Sequence, residues 1–373
     1  MTSEERLLAA FRSEGVDHTP CCPTFWVSKP DYQAFKWRDI DEQLRFVMRD
    51  LDADARLSFA INTTLPGQKT WEEHRPGEEY PILHSSIETP KGELHAAIRL
   101  TDDYPHTDIP LFSDWTVSRY VEPWIKTLED AEKFAAVFPP PDNSDYENAK
   151  EKLVALKIIA EKWHIAITGS GGFALNGAIH AMGAETGVLL GVDSPEVMDC
   201  FLESVYARQS RELAMLLNLG ITTVVRNGWY DSTDFWSPSQ FERWVVPQLA
   251  HDIKTVHQAG GIFIYQMCTG IRPLLPALSR LDFDCLLEFE PALGATDSAE
   301  IKAALPGKSF WGGVSAPVHL EGGDENAVRK AVRDAFSVFG KKGLVLKAVP
   351  SIRAHLPKEN IKAFFDEWRK VTA

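Results

Sequence analysis

Eight short apolar segments recur along the chain, at residues 19–25, 56–61, 164–168, 222–226, 262–265, 285–289, 309–311 and 343–347. Helical patterns separate most of them. Asp193-Ser194-Pro195 opens a long helix running toward Leu219, and Gly220 closes it. Ser237-Pro238 opens another that ends near Gly260. Strand and helix alternating eight times predict an α/β fold, a (β/α)8 TIM barrel. The 373 residues, 44% hydrophobic and 25% charged, suit a single domain of that kind over residues 1–373. One stretch breaks the rhythm. Residues 62–160 form a long excursion between the second and third strands. It holds Thr89-Pro90-Lys91-Gly92, a turn leading into a strand, and the Pro139-Pro140-Pro141 loop. It reads as an insertion over the barrel mouth within the same domain.

Residues 260–275, GGIFIYQMCTGIRPLL, carry the strongest hint of chemistry. A Gly-Gly turn leads into a buried strand, and Gln266 and Cys268 follow it. Residues two apart on a strand share a face. Gln266 and Cys268 should therefore project together at the carboxyl end of a strand, where barrels keep their active sites. The plain alternative is that Cys268 is a small core hydrophobe.

The net charge of −14 excludes sequence-independent nucleic-acid binding, which needs a basic footprint. Five scattered cysteines without a CxxC pattern suit a reduced, cytoplasmic protein. The opening MTSEERLLAAFRSEG reads as an amphipathic helix rather than a signal peptide, and no apolar run is long enough for a membrane span.

Other polar residues fall at predicted strand ends. Arg226-Asn227-Gly228-Trp229-Tyr230-Asp231 follows the fourth strand, so Tyr230 and Asp231 are candidate proton donors and Arg226 a candidate substrate contact. A solvated loop with Asp231 as a helix cap weighs about equally. Glu288 and Glu290 flank Phe289 in an apolar strand. A buried carboxylate there needs a partner, for instance Arg272, or a function, and Glu290 lies nearer the strand end. Ser170-Gly171-Gly172 offers backbone N–H groups to an anion, or a tight turn. Lys347, Arg353 and His355 follow the eighth strand, where acidic groups often bind. One of Cys21 and Cys22 must point inward, and both read as core. Trp26 and Trp311 could line a pocket for a flat ligand.

In order along the chain stand Glu5-Arg6-Leu7-Leu8-Ala9-Ala10-Phe11 with Val16-Asp17-His18-Thr19-Pro20, then Thr89-Pro90-Lys91-Gly92, then Val121-Glu122-Pro123-Trp124-Ile125-Lys126. Gly183-Ala184-Glu185, Ser237-Pro238-Ser239-Gln240-Phe241, Cys268-Thr269-Gly270, Trp311-Gly312-Gly313-Val314 and Leu356-Pro357-Lys358-Glu359-Asn360-Ile361 follow. This series resembles the uroporphyrinogen decarboxylase superfamily, whose fold is a (β/α)8 barrel and which includes corrinoid-dependent methyltransferases. The decarboxylases carry Arg-Gln-Ala-Gly-Arg after the first strand to hold the substrate's acidic side chains. This chain has Trp26-Val27-Ser28-Lys29-Pro30-Asp31 instead. The methyltransferase branch carries a zinc-binding His-x-Cys and a later Cys. This chain has Gln266-Met267-Cys268 and Pro350.

The resemblance therefore implies the methyltransferase-like branch. It implies demethylation of a small methylated or methoxylated substrate, with a corrinoid protein as partner and a homodimeric assembly. Zinc is expected to be weakly held or absent, with Cys268, Glu290 and His355 as replacement ligands. The expected catalytic set is Tyr230, Asp231, Cys268 and Glu290. The expected substrate contacts are Trp26, Arg226, Gln266, Trp311, Arg353 and His355. The alternatives are a cofactor-independent decarboxylase and a non-catalytic corrinoid- or tetrapyrrole-binding barrel.

Overall fold

A computed structural model describes residues 1–62, 67–294 and 296–372. Residues 63–66, within the expected insertion, lie outside the described set. Seven parallel strands form a curled sheet: β1 (Arg56–Phe59), β6 (Ala166–Phe173), β7 (Thr223–Asn227), β8 (Ile262–Gln266), β9 (Cys285–Leu287), β10 (Ser309–Ser315) and β11 (Leu344–Val349), paired in that order. Four more strands, β2 (Lys69–Glu73), β3 (Ile82–Thr89), β4 (Gly92–Arg99) and β5 (Tyr120–Glu122), form an antiparallel sheet between β1 and β6. Pro90-Lys91 is the two-residue turn of the β3–β4 hairpin, in which Thr89 faces Gly92.

The expected first strand is not a regular strand, which corrects the picture of eight equivalent strands. Residues 19–25 run beside β11 through two isolated bridges, Cys21 to Leu346 and Phe25 to Ile352. Pro20 and Pro23 explain the broken ladder, since proline has no N–H to donate. The backbone N–H of Asp54 donates to Cys21 O at 2.7 Å, tying this segment to the residues just before β1.

Alternation sorts the strand residues into two layers. Ile262 and Ile264 of β8 face the barrel interior with Val225, Cys285, Leu287, Trp311 and Val345, and the helix Ser3–Phe11 packs Leu7, Ala10 and Phe11 against them. These residues lie mostly toward the strand starts, so the helix plugs the amino-terminal end. Phe263 and Tyr265 face outward, into the core shared with the surrounding helices. Cys22 falls in the interior group and Cys21 in the outer one, so the pair does divide between faces. Among the described residues no helix is long and apolar enough to cross a membrane.

Candidate functional site

The carboxyl ends of β8, β9, β10 and β11 bring the polar groups of the barrel mouth together. Gln266 ends β8, opposite Leu287 of β9. Cys268 follows it, and its backbone carbonyl accepts the Glu290 N–H at 2.8 Å. Cys268 is almost fully buried. Burial raises its thiol pKa far above the ordinary range, and Glu290 and Glu288 add to the rise. The thiol is therefore neutral.

Glu288 is the pivot. It adopts φ of 69°, a left-handed conformation that non-glycine residues avoid at a cost of about 1–2 kcal/mol. Here strict alternation fails. Leu287 faces the interior and Phe289 packs outward on Phe310 and Phe339. The turn at Glu288 thus shifts the phase by one residue. Its side chain forms a buried ion pair with Lys347 of β11. Burial pushes the Glu288 carboxyl up, while Lys347 and Arg56 pull it back. Arg272, weighed as a partner for this strand's carboxylates, instead pairs with Glu300 at 2.5 Å.

Glu290 is buried beside this pair. Its Oε1 accepts the Ala292 N–H at 2.7 Å and the Leu293 N–H at 3.3 Å. Burial raises its pKa, and the hydrogen bonds from Ala292, Leu293 and Ser315 offset that only in part. Trp311 of β10 forms the floor. Arg56 of β1 lies over its ring at 4.9 Å, Lys347 lies over it at 5.8 Å, and its Nε1 donates to Cys22 O at 3.1 Å.

Arg226 and Asp231 lie outside this cluster. Arg226 points outward from β7 into the helix layer, where its Nη1 meets Asp252 Oδ2 at 3.3 Å. The reason is register: Val225 faces inward, so Arg226 must face outward. Asp231 is fully buried. It accepts the Asn176 N–H at 2.6 Å and the Tyr265 hydroxyl at 2.9 Å. Burial lifts its pKa to about 6. It braces the loop after β7 against Tyr265, an outward-facing residue of β8.

Tyr230 donates its hydroxyl to Asp114 Oδ1 at 2.5 Å and packs edge-on against His180. His180 is a residue that sequence reasoning passed over. Its pKa falls to about 4 through burial, and its Nδ1 has no hydrogen-bond partner. No spacing signal in the chain marks it, because it meets Tyr230 and Asp114 only through the fold. Trp26, Arg353 and His355 form a separate rim group. Arg353 stacks over Trp26 at 5.1 Å and donates to Gln33, and His355 sits 3.4 Å from Glu321 and against Tyr32.

The expected ligand trio of Cys268, Glu290 and His355 is therefore not assembled. Among the described residues no group of three His, Cys, Asp or Glu side chains is placed to hold a metal ion. The donor geometry agrees: Glu290 Oε1 is committed to two backbone donors, and His355 belongs to the rim group. The residues present do not fit the zinc site of the methyltransferase branch.

A curled parallel sheet with titratable residues gathered at the strands' carboxyl ends defines an α/β enzyme of the barrel type. A family model described as uroporphyrinogen decarboxylase (URO-D) matches residues 115–371, and the chain belongs to that family. Among solved structures, a methyltransferase from Methanosarcina mazei is similar over 100% of this chain and 100% of its own, at 16% identity and a TM-score of 0.57. A B12-independent methionine synthase from Shewanella sp. W3-18-1, in complex with selenomethionine, matches over 94% of this chain and 96% of its own, at 10% identity and a TM-score of 0.47. The first likeness shows the fold. No curated protein matches the chain.

Proposed function

We propose that the chain is a methyltransferase that removes a methyl group from a small methylated or methoxylated compound bound at the barrel mouth. The observation that carries this reading is the buried Glu290, whose pKa burial raises, tied through its backbone N–H to the Cys268 carbonyl. Removing a methyl group from oxygen or nitrogen needs the leaving atom to be protonated as the carbon–heteroatom bond breaks. Glu290, whose proton affinity burial increases, would supply that proton. The nucleophile takes the methyl carbon, the heteroatom keeps the bonding electrons, and Glu290 is left as a carboxylate for solvent to reprotonate. A corrinoid on a partner protein is the proposed acceptor, and it supplies the nucleophile. The likeness to the Methanosarcina methyltransferase over both whole chains supports this reading. The bond from Tyr230 to Asp114 supports placing residues 62–160 over the mouth, within one domain.

A second reading, cofactor-independent decarboxylation of a small acid, is favoured by the two cations around Trp311, Arg56 and Lys347. In that case Glu290 would protonate the carbon that loses CO2. One experiment separates the readings. The protein is incubated with a corrinoid acceptor and a panel of methyl-labelled methoxy and methylamino compounds, and both label on the acceptor and CO2 release are followed. Label transfer that falls by roughly 100-fold or more in Glu290→Gln supports the first reading. CO2 release without label transfer would replace it with the second.

A further inference from the structure

We infer that Arg56 anchors a small organic carboxylate with an apolar body, bound in a slot between residues 22–25 and β1. The inference rests on the reading of the mouth as a substrate site and names the class of substrate. The slot exists because residues 22–25 and β1 are not laddered together. The Asp54 to Cys21 bond holds them at the base, and the ring opens above it. The resulting cavity has a volume of about 160 Å³. Phe25, Leu44, Val47 and Trp311 supply apolar walls, and Thr24 and Ser58 supply exposed hydroxyls.

Arg56 stands apart from three well-buried cations of the described residues. Arg226 meets Asp252, Lys347 meets Glu288, and Arg208 meets Glu212. Each buried cation among these has its carboxylate. Arg56 donates through Nη1 to Thr168 Oγ1 at 2.5 Å and lies on the face of Trp311. Among the described residues no carboxylate lies within ion-pair distance of it. Arg56 is partly buried, and the attraction of Glu288, already paired with Lys347, only partly offsets that burial, which lowers its pKa. A bound anion in the slot would offset the rest.

The chemistry selects a carboxylate. One guanidinium presents a planar fork that matches two carboxylate oxygens. The indole of Trp311 and the aliphatic wall suit a flat, apolar body beside the acid. A phosphate would ask for several donors, and the chain's net charge of −14 works against multiply charged ligands.

The test is isothermal titration calorimetry in low-chloride buffer. The probes are benzoate and 4-methoxybenzoate, each compared with its neutral amide. The expected result is that the acids bind roughly tenfold or more tightly than the amides. Arg56→Gln should erase that preference, and Arg56→Lys should keep part of it. Equal affinity for acid and amide, or no heat from either acid in the millimolar range, would overturn the inference. So would an unchanged preference in a natively folded Arg56→Gln variant. If that variant does not fold, the comparison of acid with amide on the unaltered protein decides. Failure of the demethylation reading looks different: 4-methoxybenzoate binds through Arg56 but never yields its methyl group. Methyl transfer from methoxylated compounds with no preference for the acid would sink the anion site and leave the reaction standing.

Discussion

Removing both members of the buried pair of Lys347 and Glu288 should cost clearly less than the summed costs of removing each alone. Their side chains are only 2% and 7% exposed. Lys347→Met leaves a carboxylate in the barrel interior with one oxygen already lacking a partner. Removing one member of such a pair typically costs about 3–5 kcal/mol. Arg56 also pulls on Glu288, so the lower end, about 3 kcal/mol, is expected for Lys347→Met. Glu288→Gln leaves a buried ammonium, already facing Arg56 across the same indole, and should cost at least as much. The double variant removes both members of the pair and leaves Arg56 as the cation on Trp311. Its cost should fall short of the summed single costs by about 2 kcal/mol or more. Urea unfolding of the four proteins, read by fluorescence and fitted with a common slope, measures the coupling. Effects that add to within about 0.5 kcal/mol would show that the two charges do not depend on each other, and the account of the interior would fail.

Asp231, with its pKa raised to about 6, favours the fold while protonated, and that contribution is lost as pH rises through 6. Relative to Asp231→Asn, the unaltered protein should lose about 3 kcal/mol of stability between pH 4 and 7, measured by denaturation at stepped pH. Cys268 should resist iodoacetamide in the native protein at pH 7.5 and react on unfolding, as judged by mass spectrometry, because its thiol stays protonated and almost fully buried. Gly172→Ala should cost more than about 2 kcal/mol in thermal unfolding, since φ is +83° and a Cβ would lie 2.3 Å from Arg226 Nη1.

Several strands were legible because they are dense apolar runs. Residues 222–226, 262–265 and 343–347 correspond closely to β7, β8 and β11. Gln266 and Cys268 were likewise readable, because alternation carries past a strand end. The mouth as a whole was not. Arg226 looked functional by its type, and only its parity with Val225 turns it outward. Glu288 and Glu290, two apart, would share a face of a regular strand, but a left-handed residue interrupts the alternation. Nothing in a string of letters announces a positive φ at a glutamate. Arg56 opens an otherwise ordinary strand, and it acquires meaning only beside Trp311, which is distant in sequence. His180 and Asp114 are joined to Tyr230 in the same way.

The irregular segment 19–25 also has a bearing on how the chain is made. Thr19 accepts from the indole of Trp368 at 2.8 Å, and its N–H donates to Thr372 at 2.7 Å. Residues near the start of the chain are thus fastened by the helix Lys358–Thr372 and by β11. A ribosome adds about 5–20 residues each second, so the first stave waits many seconds for the elements that hold it. Until then its edge, and the matching edge of β11 once that emerges, remain without partners. Such an edge invites pairing with other chains. The two prolines that weaken the ladder also make this waiting segment a poor template for that misassociation.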